Sequence, residues 1–109
     1  MKRPDILTAD GYPTQEALDY IAVTWGMNHG KLDTPANLDF TELLEMLEEM
    51  WWGNGWGFKR TRKRLYLSTG GWSGNEDIIE VLRGTWFWQI CWMQHRRGGH
   101  YVFEIKKVK

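Results

Sequence analysis

Cysteine is nearly absent from this chain. Cys91 is the only one among 109 residues, so no internal disulfide can form and nothing points to an oxidising compartment. No secretory apolar run follows Met1-Lys2-Arg3, and no apolar stretch approaches the roughly 20 residues of a membrane span. The expected location is therefore cytoplasmic. Net charge is absent too: 14 basic residues balance 14 acidic ones, so the whole molecule is not an obvious polyanion binder. Neither G-x-x-x-x-G-K-[ST] nor G-x-G-x-x-G occurs, which excludes both nucleotide-loop fingerprints. Repeats and low-complexity stretches are missing as well. At this length residues 1–109 form one domain, with 1–13 an irregular leader holding Pro4, Gly11 and Pro13.

Tryptophan is in surplus, with eight in the chain. Each can bury up to about 250 Å², so most are expected to fill a small core. Trp56 and Trp72 lie in glycine-rich loops and are the candidates for a stacking surface. The densest apolar block is Trp86-Phe87-Trp88-Gln89-Ile90-Cys91-Trp92-Met93. A helix apolar on all sides must be covered on all sides. One long central helix is therefore expected over 74–96. Gly84 is its weak point, since glycine costs about 1 kcal/mol relative to alanine in a helix.

Upstream, Thr14 can cap a first helix whose face is Leu18, Ile21, Ala22 and Trp25, stopping at Asn28-His29-Gly30. Asp39 and Glu42 have the spacing of a capping box. Phe40, Leu43, Leu44, Leu47, Met50 and Trp51 make an apolar stripe on a second helix, opposite its glutamates. From Trp56 the period changes to two. A two-residue turn at Arg62-Lys63 would set Phe58 across from Leu67 and Lys59 across from Tyr66. Arg96-Arg97-Gly98-Gly99 would close the long helix, and Tyr101, Phe103 and Ile105 would face inward from a last strand. The sum is an α+β domain: two N-terminal helices, a β-hairpin, the long helix and a C-terminal strand. The sheet has three mainly antiparallel strands, packed on one side of the long helix, with the first two helices on its other side.

Leu67-Ser68-Thr69-Gly70-Gly71-Trp72-Ser73-Gly74-Asn75-Glu76, the Trp-rich segment after it and Arg96-Arg97-Gly98-Gly99-His100-Tyr101 resemble a family of small bacteriophage and prophage proteins. The likeness covers roughly 38–105. It implies a phage origin, residence in the host cytoplasm and an accessory role such as counter-defence or handling host nucleic acid. It brings no catalytic residues with it.

Candidate chemistry sits first at the strand-to-helix junction: Ser68, Thr69, Gly70, Gly71, Trp72, Ser73, Gly74 and Asn75. Free N–H groups at a helix start suit phosphate or carboxylate, and hydroxyls, an amide and an indole face stand beside them. The alternative is purely structural: a tight glycine turn, Ser73 and Glu76 capping each other, and Trp72 in the core. The second candidate is the basic patch Lys59, Arg60, Arg62, Lys63 and Arg64, with Trp56 and Tyr66 nearby for stacking; charge at a hairpin also simply guards a sheet edge. Cys91, His95, His100 and His29 lack the tight ligand pairs of structural zinc, so no metal or cofactor is expected. Ser73 with His95 or His100 would be a nucleophile and base only if the fold joined them. The expectation is a non-enzymatic protein that binds a nucleotide-like or other anionic ligand at 68–76. The alternatives are a module that inhibits or bridges a host protein, with its uncovered apolar surface meeting that partner or a second copy, and a nucleic-acid-binding protein that uses the hairpin.

Overall fold

The computed structural model describes residues 6–8, 11–27 and 39–106. Its elements are α1 (Gln15–Trp25), α2 (Thr41–Met50), α3 (Asn54–Gly57), β1 (Phe58–Arg60), β2 (Arg64–Ser68), α4 (Ser73–Leu82), α5 (Trp86–Cys91), β3 (Trp92–Arg96) and β4 (His100–Glu104). The strands form one antiparallel sheet in the order β1-β2-β4-β3. The protein is a small α+β domain.

Strand alternation decides which side of the sheet is covered. Leu65, Leu67, Tyr101 and Phe103 point to one face and are buried in a single cluster with Ile21 and Trp25 of α1, Leu43 and Leu47 of α2, Ile78 and Leu82 of α4 and Phe87 of α5. Helices α1, α2, α4 and α5 therefore share one face of the sheet, and α1 and α2 reach the same cluster as the sheet residues instead of being screened from it by a single central helix. The hairpin register matches expectation, with Phe58 opposite Leu67 and Lys59 opposite Tyr66. The turn is closed by the Thr61 N–H donating to the Arg64 carbonyl at 2.9 Å and the Arg64 N–H to Thr61 Oγ1 at 3.0 Å.

In α1, Thr14 caps as expected, its hydroxyl accepting from the Ala17 N–H at 3.1 Å. Ala17 takes the buried position assigned to Ala22, which is exposed. The helix ends at Trp25; Asn28, His29 and Gly30 lie outside the described residues. The stripe of α2 is buried throughout, but its box does not form. Asp39 Oδ1 accepts from the Thr41 N–H and hydroxyl, at 2.9 and 2.6 Å, and Glu42 accepts from the Tyr20 hydroxyl at 2.6 Å.

The single long helix over 74–96 is not what forms. The chain leaves α4 at Arg83, restarts as α5 and then extends as β3, so the sheet has four strands rather than three. Thr85 causes the break. Its hydroxyl donates to the Leu82 carbonyl at 2.7 Å, closing α4, and accepts from the Trp88 N–H at 3.3 Å, opening α5. Threonine is suited to this double role because its hydroxyl both donates and accepts. Beyond α5, all of β3 is exposed. Gly98 and Gly99, expected as a helix cap, instead turn the β3–β4 hairpin with φ of 86° and 78°, a conformation that glycine adopts without cost.

Phe87 is fully buried, with ring centroids 5.2 Å from Phe40 and 5.0 Å from Phe103. Phe87→Ala is expected to lower the unfolding free energy by about 3–5 kcal/mol. Val23→Ala, at a site 78% exposed, should stay within about 0.5 kcal/mol. Urea titration followed by far-UV circular dichroism reads both; equal effects would contradict the packing described.

Candidate functional site

The glycine-rich junction is built chiefly of structural contacts. Asn75 is fully buried; its Nδ2 donates to the Trp52 carbonyl at 2.8 Å and the Thr69 carbonyl at 3.4 Å, and its Oδ1 accepts from the Trp52 N–H at 3.0 Å. The amide is thus committed to pinning the loop after α2 against the junction. Trp72 stacks between Tyr12 and Trp52, with centroids 4.6 and 5.0 Å away. A Cβ on Gly74 would stand 2.6 Å from Trp72 Nε1, so glycine there makes room for that ring. Thr69 is buried, while Gly70, Gly71 and Ser73 are exposed. Ser73 is inside α4, whose N-cap is Trp72 with no side-chain cap hydrogen bond; the Ser73–Glu76 capping box does not form. Of the predicted set, Ser68 alone turns to a different surface.

That surface is the outer face of the sheet. Strand register puts Lys59, Tyr66, Val102 and Gln94 in one row, Ser68, His100 and Arg96 in the next, and Arg64 beside Glu104 at the far end. Among the described residues no element covers this face. Tyr66, Ser68, Gln94, Arg96, His100 and Val102 line a half-open groove of about 340 Å³ on it. Val102 is only 7% exposed although it belongs to no part of the helix-side core, so its neighbours on the outer face shelter it and give the groove an apolar floor. Ser68 Oγ and His100 Nδ1 share a hydrogen bond of 2.7 Å, which fixes the imidazole at one end. Glu104 is the one carboxylate on this face among the described residues, and Lys106 Nζ pairs with it at 3.9 Å.

The charges are divided by layer. Glu16, Asp19, Glu42, Glu45, Glu48, Glu49, Glu76, Asp77 and Glu80 all lie on helices, which among the described residues carry no lysine or arginine. Lys59, Arg60, Arg62, Lys63, Arg64, Arg96, Arg97 and Lys106 belong to strands, hairpin turns or the stretch after β4, and the remaining described arginine, Arg83, caps the end of α4. The basic hairpin patch is itself split. Lys59 and Arg64 face the outer groove, whereas Arg60 and Arg62 line a smaller hollow of about 180 Å³ with Asp39, Phe40 and Lys106.

Sequence reasoning missed Gln94 and Arg96 as site residues and weighed His100 only as a metal ligand or as a base for Ser73. Their signal was the alternation of 92–96 with 100–104 across a Gly-Gly turn, hidden by the apolar block before it. Cys91 and His95 are not on one helical face: the first ends α5 and the second is in β3, stacked on Tyr101 at 4.2 Å. Among the described residues no group of three His, Cys, Asp or Glu could hold a metal ion, and His29 lies outside them. Burial pushes the Cys91 thiol up from its ordinary pKa, which keeps it protonated and a weak ligand or nucleophile. Ser73 has neither histidine as a partner; the serine–histidine pair that does form, Ser68 with His100, has the face's only described carboxylate engaged with Lys106. In comparisons with protein families, curated proteins and solved structures, nothing matches this chain.

If Asn75 is a structural clamp, Asn75→Ala should cost about 2–3 kcal/mol of stability by stranding the Trp52 backbone groups. Ser73→Ala should cost less than about 0.5 kcal/mol, against about 1 for a true N-cap. Thermal unfolding of the two variants separates these cases, and a large loss for Ser73→Ala would reinstate the capping box.

Proposed function

We propose that the protein is a non-enzymatic binder of a nucleotide-like anionic ligand, held in the groove on the outer face of the sheet. One observation carries this reading: Arg96, His100, Ser68 and Gln94 converge on a half-open hollow floored by Tyr66 and Val102, on the layer of the molecule that holds its cations. In this reading Arg96 and His100 contact phosphate, as planar or positive donors do well. Tyr66 offers its ring to a base and Gln94 an amide to the base edge. Ser68 orients His100. The ligand of the 68–76 junction is thereby moved one strand-width outward, with Ser68 common to both sites. The resemblance to phage proteins adds the accessory, counter-defence role in a host cytoplasm; no helix of the described residues is long and apolar enough to cross a membrane.

Isothermal titration with nucleoside monophosphates and triphosphates at low salt tests the proposal. Binding is expected, tighter for the triphosphate and weakened by added salt. Arg96→Ala should reduce affinity about 10- to 100-fold, the worth of one charged hydrogen bond, while Ser73→Ala changes nothing. Absence of heat with millimolar ligand would remove the reading.

A second reading, a protein-interaction module, is favoured by one feature. β3 is one of the two edge strands of the sheet, and it exposes Trp92 and Met93, 45% and 41% accessible. An open edge with apolar side chains is a template for a strand from a host protein or a second copy. Light scattering across a concentration series tests the second copy: a dimer that Met93→Lys dissociates supports it, and a monomer at every concentration counts against it.

A further inference from the structure

We propose that the ligand class is single-stranded nucleic acid, bound as a chain that crosses the sheet and leaves past Ser68 to stack a base on Trp56. This rests on the reading of the outer groove as an anion site and extends it from one phosphate to several.

The first argument is the spacing of the cations. Arg96 is on β3 and Lys59 on β1, with β4 and β2 between them. Three strand spacings, about 14 Å across the sheet, and one row, about 7 Å along it, separate their backbones. Arg64 stands a further two rows along β2 from Ser68, about 13 Å of strand. One phosphate satisfies one of these positions; a chain with a phosphate at each step satisfies all of them. Glu104, the lone described acid here, has Lys106 Nζ at 3.9 Å and Arg64 across the strand pair, so the one negative charge on the path is flanked by two cations.

The second argument is the aromatic residue at the exit. Trp56, 57% exposed, is the most exposed of the large aromatics in the described core and surface. Its six-membered ring lies so close to the backbone at Gly53 and Gly70 that a Cβ at either would overlap it. Both glycines have positive φ, 80° and 61°. The ring is thus held against backbone with much of its surface left to solvent, and Trp52 props it edge-on at 5.6 Å. Gly70 is two residues from Ser68, at most about 7 Å of chain. A strand whose phosphate sits at Arg96 and His100 therefore reaches Trp56 with its next base or the one after.

The third argument selects single strands. Tyr66 and Trp56 offer faces for stacking, which paired bases inside a duplex do not present to a protein. Among the described residues the outer face carries no helix to enter a groove, and the helices behind it are acidic, so a duplex finds little beyond the sheet to hold it.

The test uses the full chain and fluorescein-labelled octamers of deoxyuridylate and uridylate, with uridine monophosphate and a duplex of equal length as comparators. Anisotropy and competition should show each octamer bound at least about 10-fold more tightly than the monophosphate and than the duplex. The tighter octamer names the sugar. With three to four phosphates engaged, log affinity should fall against log salt with a slope of about −2 to −3. Trp56→Ala should weaken octamer binding about 5- to 100-fold, the range for one stacked base, and leave the monophosphate unchanged. Trp56→Phe should restore most of the loss, and Lys59→Ala, at an exposed position, should lower the salt slope by about 0.7. Octamers that bind no better than the monophosphate or the duplex, or a Trp56→Ala protein that binds them normally, would overturn this inference while leaving the groove as a mononucleotide site. A protein that binds neither octamer nor monophosphate, with Arg96→Ala indistinguishable from wild type, removes the groove reading itself.

Discussion

The architecture depends on one constraint: Leu65, Leu67, Tyr101 and Phe103 must all leave water on the same side of the sheet. A four-stranded sheet this small has two faces to satisfy, and the described residues supply helices for only one. Phe87 is the contact through which this is achieved, lying between Phe40 of the α2 entry and Phe103 of β4. Tyr66, Ser68, Gln94, Arg96 and His100 are consequently displaced to the other face, while Arg60 and His95 stay on the helix side, each on an edge strand. The outer groove is a by-product of that one-sidedness, and its polarity follows from the alternation of β2 and β4 rather than from any local motif.

The aromatic surplus divides along the same line. Trp25, Trp51 and Trp86 are core residues, and Trp51 and Trp25 spend their indole N–H groups on the Ser68 and Asp39 carbonyls. Trp88 is half-buried, beneath Arg83, whose guanidinium carbon stands 5.1 Å from the ring centroid. Such a cation–π contact is worth about 0.5–1 kcal/mol at a partly exposed site. Trp52, Trp56 and Trp72 form a separate cluster at the glycine-rich end of the sheet. There the glycines remove side chains so that rings can pack on backbone, which is why a glycine count high enough to suggest a phosphate loop arises from packing.

Where the period of the sequence was clean, the structure was legible. The i, i+3, i+4 stripe of α2 and the two-residue alternation of Phe58, Leu65 and Leu67 each admit one arrangement, and those arrangements form. The block from Trp86 to Met93 has no polar side to give a phase, so α5 and β3 read as one helix. Nothing local in Thr85 distinguishes a helix interior from a joint; the deciding facts are its bonds to Leu82 and Trp88, which exist only once both helices are placed. Asn75 was read as a ligand donor because an amide's partners are invisible in a sequence, and here they are backbone groups 23 residues away. Misplacing β3 also concealed Gln94 and Arg96, since a residue assigned to a helix end has no row-mates on a sheet.

A balanced charge count says little about a molecule whose charges are sorted by layer. The protein measures 24 Å along its shortest principal axis, whereas fields between exposed charges decay over about 8 Å at physiological ionic strength. An anion at the outer face of the sheet therefore meets Lys59, Arg64, Arg96 and His100 at close range, and the glutamates of α2 and α4 only after several screening lengths. The outer face is thus predominantly cationic and the helix side predominantly acidic, with Arg60, Arg62 and Arg83 as the basic exceptions there. The same segregation orients approach: a polyanion is turned away from the helices and drawn to the sheet before any contact forms. Neutrality overall thus sharpens the choice of face, because a uniformly basic protein would offer an anion many footholds and this one concentrates them on one side.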